Sequence, residues 1–397
     1  MPKSLLRALG LALAALASAS AFAQVVVGAP FALTGSVGAL ANEMRKGAEL
    51  AMHQVNEQGG LLGSPYALAF ADTACDAEQA VRAVQRLLDD PKTVALIGPV
   101  CSGATLRQAR SVAIPAGVVT LSVASASSLI SRLNDNDLVF RTAPSDALKG
   151  RAMARVAYDQ GIREIAVSHA SDAYNTGIAE VFAEAFKASG GRISVMQTHQ
   201  PGQRDYRGEA GAAARASSDV AVFAYYGSGG VEYLQALAES GRVQRVIGTD
   251  GLMAKTLDKA VPAGLLSQLT IVTAAADRSR PAYRLWEGFA RDRAIKADGP
   301  YVANAYDAAF MMALAIEAAG SADRGRIAAA LRSVAGPPGV KILPGEFAKA
   351  KALLASGQDI DYDGASGPVD FDEVGDIVGR LSVNRFLHGS WQETLLD

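Results

Sequence analysis

The sequence predicts an α/β protein of two similar lobes, each a mainly parallel sheet with helices on both faces. Three observations carry this. Short apolar runs that read as strands alternate with amphipathic stretches that read as helices along most of the chain. The number of such units is too large for one comfortable sheet. At 397 residues and 50% hydrophobic, the chain is longer than one typical domain and apolar enough for a sizeable core. No Pro/Gly/Ser-rich linker separates the halves, so short extended segments should carry the chain between lobes.

In order, residues 25–32 read as a buried strand ending in Leu33-Thr34-Gly35-Ser36. A helix follows near 42–57, with Ala48, Ala51, Met52 and Val55 at helical spacing and Gly59-Gly60 as its stop. Residues 66–71 are the next strand. Asp76-x-x-Gln79 is a capping-box variant opening a helix with Val81, Val84, Leu87 and Leu88 on one face. Strands are expected at 94–97, 118–122 and 138–141. The rhythm then restarts: helix 147–159, strand 164–169, helix 175–189, strand 192–197, helix 205–216, strand 220–226, helix 231–240 and strand 246–248. Strand 269–273 precedes helical stretches 282–295, 302–319 and 323–334. Residues 367–371, 381–386 and 389–392 read as strands or hairpin pieces.

The N-terminus is set aside from the fold. Lys3 and Arg7 form a basic start, residues 8–19 are apolar apart from Gly10 and Ser18, and Ala21-Phe22-Ala23 matches a small-x-small cleavage site. The alternative, a membrane anchor, needs about 20 apolar residues, more than this stretch has. No Cys follows the cleavage point, as a bacterial lipid anchor would require. No later stretch reads as a membrane span. The expected product is exported, soluble and periplasmic. Its formal charge falls from −2 to −4 when Lys3 and Arg7 are removed.

With 38 Lys+Arg against 40 Asp+Glu, nothing suggests a nucleic-acid binder. Two Cys and four His cannot build a Cys-based structural zinc site from this chain alone. In an oxidising compartment, an even pair of cysteines favours a Cys75–Cys101 disulfide over two separate thiols. Closing that loop is worth about 3–4 kcal/mol on the chain-entropy view.

In parallel sheets, ligands sit at the carboxyl ends of the strands. Those loops here are rich in small polar residues and poor in catalytic ones. Ser102, after Gly98-Pro99-Val100-Cys101, either caps a helix or helps hold an anion such as a carboxylate. Ala124-Ser125-Ala126-Ser127-Ser128 is a second hydroxyl-bearing loop. Asp250 follows a short strand and reads either as a cleft anion for a cation or as a plain Asp-Gly turn. Tyr225 and Tyr226 end a strand. Gly227-Ser228-Gly229-Gly230 lacks the dinucleotide spacing, Lys255-Thr256 lacks the P-loop glycine, and no H-E-x-x-H or G-x-S-x-G is present. His169 ends a strand with no partner motif and reads as structural. No enzyme signature and no cofactor or metal site emerge.

Several segments together carry a resemblance: Ala29-Pro30-Phe31-Ala32-Leu33-Thr34-Gly35, Gly59-Gly60-Leu61-Leu62-Gly63, Cys75-Asp76-Ala77-Glu78-Gln79-Ala80, Gly98-Pro99-Val100-Cys101-Ser102, Tyr174-Asn175-Thr176-Gly177, Ala303-Asn304-Ala305-Tyr306-Asp307 and Gly367-Pro368-Val369-Asp370-Phe371-Asp372. In this order, from about Val25 to Trp391, the chain resembles the leucine/isoleucine/valine-binding family, the type I periplasmic solute-binding components of branched-chain amino acid ABC transporters. The resemblance implies two Rossmann-like lobes joined by a three-crossover hinge. It puts residues 24–142 and 273–374 in the N-terminal lobe and 143–272 and 375–397 in the other. It implies a monomer that performs no chemistry, binds an α-amino acid between closing lobes and delivers it to an inner-membrane ABC permease. Binders of an amide, urea-type or aromatic carboxylate, or a ligand sensor of the same fold, are the other readings. By the same resemblance Ser102 and the Ala124 backbone hold the ligand carboxylate, and Tyr174 and Tyr226 cover the ligand. Asp250 pairs with its ammonium. Ala126, beside Ser125, stands where relatives place a Ser or Thr on the amine, and Leu40 where an aromatic is common, so the side-chain pocket is expected to differ.

Overall fold

The computed structural model describes residues 24–253 and 256–396. The expected signal peptide, residues 1–23, and Lys255 lie outside the described residues. The chain runs β1 (Val25–Phe31), α1 (Gly38–Glu57), β2 (Tyr66–Asp72), α2 (Ala77–Asp89), β3 (Thr93–Ile97), α3 (Ser102–Gln108), β4 (Thr120–Ser122) and β5 (Val139–Arg141). It continues with α4 (Asp146–Asp159), β6 (Glu164–Ala170), α5 (Ala173–Ala188), β7 (Arg192–His199), α6 (Arg207–Ala216), β8 (Asp219–Phe223), α7 (Gly230–Glu239), β9 (Arg245–Thr249), α8 (Leu257–Ala260), α9 (Ala263–Leu266) and β10 (Leu269–Ala275). Helices α10 (Pro281–Asp292), α11 (Val302–Ala319), α12 (Arg324–Ser333), strand β11 (Val340–Ile342), α13 (Phe347–Ala355) and β12 (Ile360–Tyr362) follow, and β13 (Arg380–Leu387) and β14 (Ser390–Leu395) end it.

Two sheets form, as the alternation predicts. The first is all parallel, in the order β2-β1-β3-β4-β5. The second, β14-β13-β10-β9-β8-β6-β7, is parallel except for the C-terminal hairpin, which pairs antiparallel to β10 and to itself. Helices α10 to α13 return to the first lobe and share its core. The chain therefore changes lobe three times: after Arg141, after Ala275 and before Arg380. The expected change at 272/273 falls inside β10, which β13 holds in register to Ala275 after β9 has stopped pairing at Val272. A buried ion pair pins the first and third crossings together, with Arg141 Nη2 2.6 Å from Asp376 Oδ2. The Arg141 N–H also donates to the Gly375 carbonyl at 3.1 Å.

Local chemistry explains most boundaries. Asp76 Oδ1 accepts the Gln79 N–H at 2.6 Å, which starts α2. The box is only half made, because Gln79 Nε2 turns to the Asp72 carbonyl. Helix α11 is buried on nearly every residue between α1, α12 and the first sheet. By length and composition it could cross a membrane, which the sequence reading overlooked; its burial explains its apolar character. Gly47 lets α1 approach it, since a Cβ there would stand 2.4 Å from the Val302 carbonyl oxygen.

Some expectations fail for identifiable reasons. Residues 367–371, expected as a strand or hairpin piece, form no continuous strand but only isolated antiparallel bridges, Pro368 to Asp363 and Phe371 to Ile377. Just before it, the Asp307 carboxylate collects the N–H groups of Ala365 and Ser366 and the hydroxyls of Ser366 and Tyr362, which holds the turn that leads into the segment. The strand expected at 220–226 stops at Phe223 and a tight turn begins at Tyr226. Helix α13 and strands β11 and β12 had no strong periodic signal.

Candidate functional site

The lobes approach one another at the carboxyl ends of their strands, where Gly227 comes up to Ser36, Gly177 to Ser127 and Tyr301 to Asp250. On the first-lobe side, the disulfide between Cys75 and Cys101 ties the β2–α2 connection to the loop before α3. The bridge expected from the compartment is therefore present. Of the two readings of Ser102, the helix cap is not what forms. Cys101 occupies the N-cap position, and Ser102 is the first residue inside α3. Its hydroxyl accepts the Ser127 N–H at 3.2 Å instead. Ser125 locks the two loops together, its Oγ 2.7 Å from Thr105 Oγ1 and 3.2 Å from the Pro99 carbonyl. Ala126 is buried, and its carbonyl accepts the Asp146 N–H at 2.7 Å. Ala124 is half-buried. Among the described residues, no acceptor takes the backbone N–H of Ser102 or Ala124. Leu40 packs, half-buried, against the first-lobe core.

The second-lobe side holds a dense polar cluster. The Asp172 carboxylate caps α5 through the N–H groups of Tyr174 and Asn175, which fixes Tyr174 at the helix start. The Tyr174 ring stacks on Tyr225, with centroids 5.4 Å apart and planes 17° from parallel. Tyr225 is thus the member of the tyrosine pair seen packed on Tyr174. Tyr226 opens the neighbouring turn, and its side chain lies outside the described residues. Asp250 directly follows β9, as expected, but its carboxylate is already occupied. Oδ1 accepts from Lys149 Nζ at 2.6 Å and from the Tyr174 hydroxyl at 3.3 Å. Oδ2 accepts from the Tyr301 hydroxyl at 2.7 Å.

Lys149, Asp146 and Tyr301 are the residues that sequence reasoning missed. Lys149 comes from the first turns of α4 and is 0% exposed. Burial works to lower its pKa, but the carboxylates of Asp250 and Asp146 and the phenols of Tyr174 and Tyr301 outweigh it, and the pKa stands well above the usual lysine value. A signal existed: Lys149 shares the buried face of α4 with Met153 and Ala157, where an apolar residue is normal. Asp146 is also fully buried, 3.8 Å from Lys149 Nζ, and neither of its carboxylate oxygens has a hydrogen-bond partner. Burial, opposed by Lys149 and reinforced by Asp250, pushes its pKa up to about 7. Tyr301 reaches the cluster from the first lobe. It starts α11 with φ at +59°, a left-handed conformation rare for a bulky residue and costly by about 1 kcal/mol or more. Nothing in the sequence marks it. His169, in contrast, is satisfied by Thr198 and the Ala170 carbonyl, as a structural histidine should be.

The lobes touch above this cluster. A Cβ at Gly227, in the second lobe, would stand 2.5 Å from the Ser36 carbonyl oxygen of the first. The Tyr301–Asp250 bond also crosses the cleft.

The periplasmic binding protein profile matches residues 24–373. The chain belongs to that family. This periplasmic binding protein is 28% identical to the Leu/Ile/Val-binding protein homolog 3 of Brucella melitensis, over 77% of this chain and 82% of the relative. It is 27% identical to the chemotactic signal transduction system substrate-binding protein BasB of Halobacterium salinarum, over 86% of this chain and 81% of the relative. Its fold is that of the leucine-binding protein LivK of Thermotoga maritima, with a TM-score of 0.79 at 23% identity, covering 94% of this chain and 99% of LivK. A solute-binding protein of an R. palustris ABC transporter, solved with benzoate, superposes with a TM-score of 0.76 at 18% identity, covering 94% and 96%. The chain thus has the fold of a type I periplasmic binding protein, and its relatives are named as binding proteins rather than enzymes.

Proposed function

We propose that the mature protein works in the periplasm as the monomeric solute-capturing component of an ABC importer, and that its solute is a small organic carboxylate handed to an inner-membrane permease. The basic start and the Ala21-Phe22-Ala23 site of the N-terminus support the location. The observation that carries the ligand reading is the pair of unclaimed N–H groups, at Ser102 and Ala124, on two loops that Ser125 and Ser127 hold together at the cleft. Paired donors of this kind suit a carboxylate. Carboxylate is also the group shared by the leucine of one solved neighbour's name and the benzoate of another.

The amino-acid reading adds an ammonium on Asp250. That acid already holds Lys149, which a ligand ammonium would have to displace or stand beside. Binding itself works by selection: a solute that contacts both lobes favours the closed form and raises stability. A thermal-shift panel that sets each acid against its amide tests the reading. The melting temperature should rise with the acid and not with the amide. Equal shifts from benzamide and benzoate, or from leucinamide and leucine, would remove the carboxylate from the account.

A further inference from the structure

We propose that Lys149 supplies, from the protein itself, the ammonium group that an amino-acid ligand would bring, so that the cleft selects apolar monocarboxylates with no α-ammonium group. This rests on the carboxylate reading above and narrows it.

The geometry around Asp250 carries the inference. Lys149 Nζ lies 2.6 Å from Oδ1 and the Tyr301 hydroxyl 2.7 Å from Oδ2, so both oxygens are engaged by strong donors. The Asp250 side chain is only 11% exposed and Lys149 is not exposed at all. A ligand ammonium at Asp250 would either displace Lys149, leaving a buried cation without its partner, or share Oδ2 with the Tyr301 hydroxyl and stand close to the Lys149 ammonium. The other acids nearby offer no better place. Asp172 spends its carboxylate on the N–H groups of Tyr174 and Asn175 and on Asn175 Nδ2. Asp146 is fully buried and already lies 3.8 Å from Lys149 Nζ, so an ammonium bound there would face a second cation.

Apolar side chains are also at hand: Tyr225, Ala274 and Ala276, and separately Leu33 and Leu40, are half-buried against the first-lobe core. Such side chains suit a hydrocarbon or aromatic body rather than a second charge. The carboxylate end would meet the Ser102 and Ala124 loops, and the Tyr174–Tyr225 stack would cover the body.

Matched pairs test this on the mature protein by calorimetry: leucine with 4-methylpentanoate, and phenylalanine with 3-phenylpropanoate, with benzoate added. The wild type should bind the des-amino member at least about thirtyfold more tightly, the scale of losing one member of a desolvated charge pair. Lys149→Met frees Asp250 and should shrink or reverse that preference. Lys149→Gln serves the same purpose if the methionine variant does not fold. A wild type that prefers the amino acids would overturn the inference while leaving the carboxylate reading intact. An unchanged preference in a folded Lys149 variant would remove Lys149 as its cause. No heat from any of these acids would bring down the carboxylate reading, and this inference with it.

Discussion

The molecule buries two ion pairs of the same length, and they sit in different relations to the lobes. Arg141 and Asp376 meet at 2.6 Å where the first and third crossings run side by side, and the Ser127 carbonyl and Ser131 hydroxyl each take a further guanidinium donor. Lys149 and Asp250 also meet at 2.6 Å, but within the second lobe, and the donor that completes Asp250 is Tyr301 of the first. The hinge pair lies on the crossings themselves, whereas the cleft cluster draws Lys149 and Asp250 from one lobe and Tyr301 from the other. One therefore holds the architecture, and the other is tied to closure and to what the cleft accepts.

That contrast can be broken from either end. The largest effect should come from the hinge. Arg141→Met strands a buried carboxylate and should cost about 3–5 kcal/mol of stability in chemical denaturation, while leaving the order of ligand preference unchanged.

Asp146 comes next, through pH. Its native pKa of about 7 lies above the ordinary value of 3.8, so the folded state holds the proton more tightly than the unfolded one. Its contribution is full below about pH 4 and is lost as pH rises through about 7. The stability of the wild type relative to Asp146→Asn should fall by roughly 2–4 kcal/mol over that window and level off above it. The comparison with the variant matters because His199, held by burial down to about 4, has the opposite slope and loses its contribution as pH falls. A difference curve that stays flat from pH 4 to 8 would show that Asp146 is not held protonated.

Closure itself is tested at Gly227. A Val there meets the Ser36 carbonyl, and overpacking of this kind costs about 1–3 kcal/mol. That cost should appear in ligand affinity, measured by calorimetry, and not in the urea midpoint of the ligand-free protein. Tyr301→Phe should have the smallest effect. It removes the hydrogen bond donated to the Asp250 carboxylate, worth about 1.5 kcal/mol, and the longer one accepted from Lys149 Nζ at 3.3 Å. A loss of affinity near tenfold is expected, and none would mean that the bond across the cleft does not matter.

Much of the architecture was legible in the residues. Strand–helix alternation placed most of the two sheets, and Asp76 and Gly59-Gly60 marked helix ends where the structure has them. The cysteine pair was legible because compartment and count both pointed to one bond. The site was legible in its loops but not in its pairings. Asp250 stands directly after a strand end in the sequence and in the fold, yet its partner lies on α4, more than one hundred residues earlier. Local patterns carry no record of such a contact. The same holds for the turn before residues 367–371, which the distant Asp307 carboxylate holds, and for Tyr301, whose left-handed backbone has no residue signature. Lys149 alone left a trace, as a charge on the apolar face of a helix.

The central claim is that the lobes close over a carboxylate while the acid of the cleft stays with Lys149. Small-angle scattering of the mature protein with 4-methylpentanoate and with leucine, at equal concentration, tests it most directly. The account predicts a smaller radius of gyration with 4-methylpentanoate and no change with leucine. Compaction by leucine, with none from 4-methylpentanoate, would contradict it.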